Sequence, residues 1–143
     1  MHWRDLRFWL ALGAAPLFWA ALLAFVPHEP LQLSWPLHAP LAFLLPALVY
    51  PIAEEIIFRG ALQEWLGDHL PDRPLGPVSL ANLVTSVVFT SLHFIHHPPF
   101  WAAMVFVPSL VFGYFKDRTG ALQAPIVLHV FYNAGYYWLF TGG

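Results

Sequence analysis

Long stretches of this chain contain no Asp, Glu, Lys or Arg: Phe8 to Val26, Pro30 to Ala53, Pro74 to Phe115, and Thr119 to Gly143. An apolar run of about 20 residues is enough to cross the hydrocarbon core of a bilayer as a helix. The first and last stretches each accommodate one span. The third accommodates two, parted at His96-His97-Pro98-Pro99, where paired prolines stop a helix. The second stretch runs past Glu54-Glu55 into Ile56, Ile57, Phe58, Ala61, Leu62, Trp65 and Leu66, so one helix carries these charges inside it. The pattern predicts an all-α, polytopic integral membrane helix bundle of about five spans. Their expected positions are 8–27, 43–66, 78–96, 100–115 and 121–140, within a single membrane-embedded domain covering 1–143. Pro16, Pro46, Pro51, Pro108 and Pro125 fall in or at the start of spans, which membrane helices tolerate when neighbours satisfy the freed carbonyls.

Composition narrows the classes. The 143 residues are 59% hydrophobic and 10% charged, against about 25% charged in soluble domains. That excludes a soluble enzyme and a disordered tail. With six Lys and Arg against eight Asp and Glu, there is no basic footprint for nucleic acid. The absence of cysteine excludes disulfides, thiolate nucleophiles and cysteine zinc sites. The basic residues outside the spans (Arg4, Arg7, Arg73, Lys116 and Arg118) all fall on one side of a five-span topology, which predicts a cytoplasmic amino terminus. Span one ends in Phe25-Val26-Pro27, without the small-residue pattern of signal-peptide cleavage, so its retention is expected.

The polar groups left at membrane depth are Glu54, Glu55, Arg59, His93, His129 and Asn133. Ionisable residues inside a bilayer are costly and are functional candidates by default. Counting from cytoplasmic ends at 66, 80 and 121, Glu54 lies roughly 18 Å deep, His93 about 20 Å, His129 about 12 Å and Asn133 about 18 Å. Glu55 and Arg59 stand at i and i+4 with the acid first, the favoured order for a helical ion pair. Glu54 points about 100° away around the helix, and a carboxylate facing a cavity there can act as a general base. His129 and Asn133, also i and i+4, can both donate hydrogen bonds to a developing oxyanion, or can form an interhelical polar clamp. His96 and His97 read as interfacial, and Tyr136, Tyr137 and Trp138 as an aromatic belt.

Glu54-Glu55-x-x-x-Arg59-Gly60, Phe89-x-x-x-His93 and His129-x-x-x-Asn133, in that order on three helices, resemble the CAAX protease and bacteriocin-processing family. These are glutamate-dependent intramembrane endopeptidases, also called Abi or type II CAAX prenyl endopeptidases, and the likeness covers about residues 50–137. The resemblance implies that Glu54 activates water with help from His93, and that His129 and Asn133 stabilise the oxyanion. Glu55 and Arg59 would support the site, although some accounts of the family count Glu55 as catalytic too. It implies no metal and no other cofactor. Beside the prenyl-processing relatives, the resemblance implies a shorter member with fewer flanking helices. The resemblance therefore points to a compact protein-sorting member in a bacterial or archaeal cytoplasmic membrane. Its partners would be the lipid bilayer and a membrane-anchored protein or peptide cut near its C-terminal tail.

Two rivals start from the same residues. A zinc peptidase would draw on Glu54, Glu55, His93, His97 and His129, whose side chains are credible ligands, but the His-Glu-x-x-His helix motif is absent. A non-enzymatic scaffold, immunity factor or regulator would keep the polar cluster for helix association.

Overall fold

The computed structural model describes residues 5–71 and 74–142. Helix α1 (Leu6–Phe25) opens on Asp5, whose side chain accepts from the Arg7 N–H. It stops at the residue before Val26-Pro27, since proline disfavours helical backbone at the position preceding it. A short helix α2 (Trp35–His38) precedes a continuous helical run over Pro40–His69. This run consists of α3 (Pro40–Leu44), a π-helical segment π1 (Leu45–Val49), α4 (Tyr50–Glu55), a second π segment π2 (Ile56–Gln63) and α5 (Glu64–His69).

A two-residue hairpin follows, with β1 (Pro74–Leu75) antiparallel to β2 (Val78–Ser79). Gly76 takes a positive φ of 71° at the turn. The hairpin and the Ser79 cap, which accepts from Asn82 N–H, start helix α6 (Leu80–His93) two residues later than the apolar pattern predicts. Helices α7 (Pro99–Met104) and α8 (Phe106–Thr119) are split at Val105. The cause is Pro108, which has no N–H to give the Met104 carbonyl and whose ring crowds that carbonyl. Helix α8 runs past the expected end at 115 to Thr119, where Gly120 closes it in the left-handed conformation, φ 66°. Helix α9 spans Gln123–Phe140.

The chain is an all-α membrane helix bundle. Among the described residues, Leu6–Phe25, Pro40–His69 and Pro99–Thr119 are long and apolar enough to cross a bilayer, and Leu80–His93 is apolar but shorter. The outer surface is apolar: Leu10, Leu17, Leu41, Ile57 and Val107 are all exposed. Many buried positions are small or polar, among them Ala47, Ala81, Ala102, Thr85, Ser86, Ser109 and Gly113, and they lie beside a few large apolar side chains such as Phe89, Phe112, Phe115 and Leu128. This inversion is expected where lipid is the solvent and helices associate by close approach and hydrogen bonds.

The contacts divide the chain into two compact units, Met1–Ala53 with Val127–Gly143, and Glu54–Ile126. In the first, Tyr132 donates its hydroxyl to Ala11 O at 2.6 Å, and Trp19 packs on Phe131 at 5.3 Å. Trp35 donates to Trp138 O at 3.1 Å, and Trp138 donates to Leu33 O at 2.8 Å. In the second, α6 lies against α8 and the π2 segment, held by the polar contacts described next.

Candidate active site

The second unit carries Glu54, Glu55, Arg59 and His93. Glu55 and Arg59 are both fully buried, with Nε 3.4 Å from Glu55 Oε2. The expected i, i+4 pairing is present even though Arg59 already lies in a π-helical turn. Glu54, the adjacent carboxylate, is partly exposed, consistent with its different direction around the helix.

The guanidinium is held from several sides. Arg59 Nη2 donates to Ser109 O at 3.0 Å and to Ser109 Oγ at 2.7 Å. The Phe89 ring lies below the cation, 5.4 Å from Cζ to centroid. Ser109 Oγ donates onward to Ser86 Oγ at 3.0 Å, and Ser86 Oγ to Asn82 Oδ1 at 3.1 Å. The Asn82 amide then donates to Leu110 O at 3.0 Å. Every bond in this chain runs away from the cation, so successive dipoles polarise one another in one sense. One turn further along, Gln63 donates to Gly113 O at 3.0 Å and to Asp117 Oδ1 at 2.6 Å. Near the helix ends Lys116 pairs with Glu64 at 2.8 Å.

Gln63, Asn82, Ser86 and Ser109 were not among the candidates drawn from the sequence. Their signal was there: Glu55, Arg59 and Gln63 recur every four residues, as do Asn82, Ser86 and Thr90, and Ser109, Gly113 and Asp117. In uncharged runs, polar residues at helical spacing mark a buried face as surely as charged ones do.

His93 ends α6 on the same helix as Phe89. Phe89 meets Phe58 edge to face at 5.0 Å, which joins the helix of His93 to the helix of Glu54. The His93 ring stacks on His97 at 5.7 Å, and its Nδ1 lies 2.9 Å from Phe89 O. A carbonyl only accepts, so Nδ1 carries the proton in this bond. A neutral His93 ring therefore keeps its acceptor lone pair on Nε2.

The first unit carries His129 and Asn133, both on α9. His129 is buried, 5% exposed. Asn133 Nδ2 donates to Pro46 O at 3.1 Å. Among the described residues, no group of three or more His, Asp or Glu side chains gathers in an arrangement suited to a metal ion.

The Rce1-like model of the type II CAAX prenyl endopeptidases matches residues 36–135, more than half of the chain. The chain belongs to this family. It is thus a member of a membrane protease family, and the matched region spans all six candidate residues from Glu54 to Asn133. No curated protein and no solved structure matches this prenyl endopeptidase relative.

Proposed function

We propose that this CAAX-type protease is a glutamic intramembrane endopeptidase that cuts a membrane-anchored protein or peptide near its C-terminal tail. The observation that carries the reading is the pinned ring of His93. With Nδ1–H held by the Phe89 carbonyl, Nε2 is the basic atom of the neutral imidazole, as a group that accepts a proton from water requires. In this reading the Glu54 carboxylate and His93 Nε2 take a proton from a water molecule as its oxygen attacks the scissile carbonyl carbon. The carbonyl oxygen becomes an oxyanion that accepts hydrogen bonds from His129 and Asn133. The tetrahedral intermediate then collapses as the abstracted proton passes to the leaving nitrogen, giving a carboxylic acid and an amine. Glu55 and Arg59, with both charges buried and paired, support the helix that presents Glu54. The reading places this chain in five spans with the amino terminus in the cytoplasm, as a single domain in a bacterial or archaeal cytoplasmic membrane.

The test is Glu54→Gln, which keeps the shape and removes the base. Membranes from cells carrying the wild type or the variant are compared by C-terminal peptide mass spectrometry. Loss of a general base is expected to slow tail cleavage by about 10²–10⁴-fold, so an uncut membrane protein accumulates. Unchanged tails in cells holding a variant that unfolds at the wild-type temperature would refute the assignment.

A further inference from the structure

Pro51 lies on α4, three residues before Glu54. The π1 segment ends with the Tyr50 N–H bonded to Leu45 O, an i to i−5 step. In that register the next carbonyl, Pro46 O, would take the N–H of residue 51. Residue 51 is a proline and has none. Pro51 is fully buried and Pro46 partly exposed, both within the apolar run Pro40–His69; in hydrocarbon no water replaces the missing donor, and an unpaired carbonyl there would be costly. The Pro46 carbonyl accepts instead from Asn133 Nδ2 at 3.1 Å.

We propose that Pro51 is a positioning residue for Asn133: by withholding a backbone N–H, it leaves the Pro46 carbonyl to anchor the Asn133 carboxamide. A carboxamide is planar and its nitrogen carries two hydrogens. Once one is committed to Pro46 O, the amide plane is fixed and with it the direction of the second. An ordinary residue at 51 would close the helix bond internally and release the carboxamide to turn about its terminal torsion, which has broad, shallow preferences. The positioning role rests on the reading of Asn133 as an oxyanion donor; the anchor itself does not.

The experiment uses the full chain in lipid nanodiscs with 15N-labelled asparagine side chains, and compares wild type with Pro51→Ala. Losing one hydrogen bond of ordinary strength is expected to speed exchange of the protected Asn133 Nδ2 hydrogen by about fivefold. Cleavage of membrane-protein tails is expected to slow in parallel. Pro51→Ser supplies the same N–H and is expected to give the same result. In thermal unfolding, Asn133→Leu is expected to cost more stability in the wild-type background than in the Pro51→Ala background, where the carbonyl has its own donor. Unchanged exchange, or equal costs in the two backgrounds, overturns the anchor. Faster exchange with unaltered cleavage overturns the positioning role. If Glu54→Gln leaves cleavage intact, the protease reading falls, and the exchange and unfolding arms still decide the anchor.

Discussion

A guanidinium with no exposed surface inside an apolar bundle is stable only because its neighbours are fixed in number and direction. Arg59 meets a carboxylate, a hydroxyl, a backbone carbonyl and an aromatic face. These partners are not equivalent. Removing the cation in Arg59→Leu leaves the Glu55 carboxylate buried beside a hydrocarbon, and breaking a buried pair from one side costs about 3–5 kcal/mol. Ser109→Ala removes one hydroxyl acceptor, while the Ser109 backbone carbonyl still accepts from Arg59. Its expected cost is about 1 kcal/mol or less. Thermal unfolding in detergent micelles compares the two, and equal losses would show that the charge is not what the network protects.

Between elements, the approach of α6 to α8 depends on Gly113. A Cβ at this position would fall on the Asn82 carboxamide, which is fully buried and tied to Ser86 and Leu110. It has nowhere to move. Gly113→Ala is therefore expected to destabilise by about 1–3 kcal/mol, the usual cost of overpacking. Gly13, mid-helix in α1, has open space around its would-be Cβ, so Gly13→Ala is expected to stabilise by about 0.5–1 kcal/mol. Chemical unfolding of both variants checks the pair, and a shared sign would undo the packing argument. The helices themselves were legible in the sequence because charge-free runs have only one economical conformation in lipid. Their ends were less so: Ser79, Gly120 and Pro108 moved boundaries by local capping and missing N–H groups. The π segments, one ending just before Pro51 and one holding Arg59, were invisible, because no residue type demands an i to i−5 bond. Of the candidate site, the ionisable residues stood out by their cost in lipid. Asn82, Ser86, Ser109 and Gln63 did not, since an uncharged polar group looks unremarkable until a partner is seen.

For the whole molecule, the expectation of five spans with the loop charges on one side makes a prediction that the chain itself helps to test. It has no native cysteine, so single introduced cysteines report on one site each. Asp68→Cys is expected to react with a membrane-impermeant maleimide only after the cytoplasmic face is opened. Glu29→Cys and Thr141→Cys are expected to react from outside on intact cells. Labelling of Asp68→Cys and Thr141→Cys from the same side would mean an even number of crossings between them and would remove the five-span topology.

The partly inverted packing, with most leucines outward and serine, threonine and alanine prominent inward, also bears on the thermodynamics of unfolding. In a water-soluble domain, melting uncovers hydrocarbon, and hydration of that hydrocarbon gives the large heat-capacity increment that bends the stability curve. Here much of the hydrocarbon faces lipid before unfolding begins, and much of what melting releases is small or polar, beside a few large side chains such as Phe112 and Leu128. The increment per residue is correspondingly small, and the curve of stability against temperature is flat. A bundle built this way loses little of its strength on cooling, because its cohesion does not come from water ordered around buried leucines.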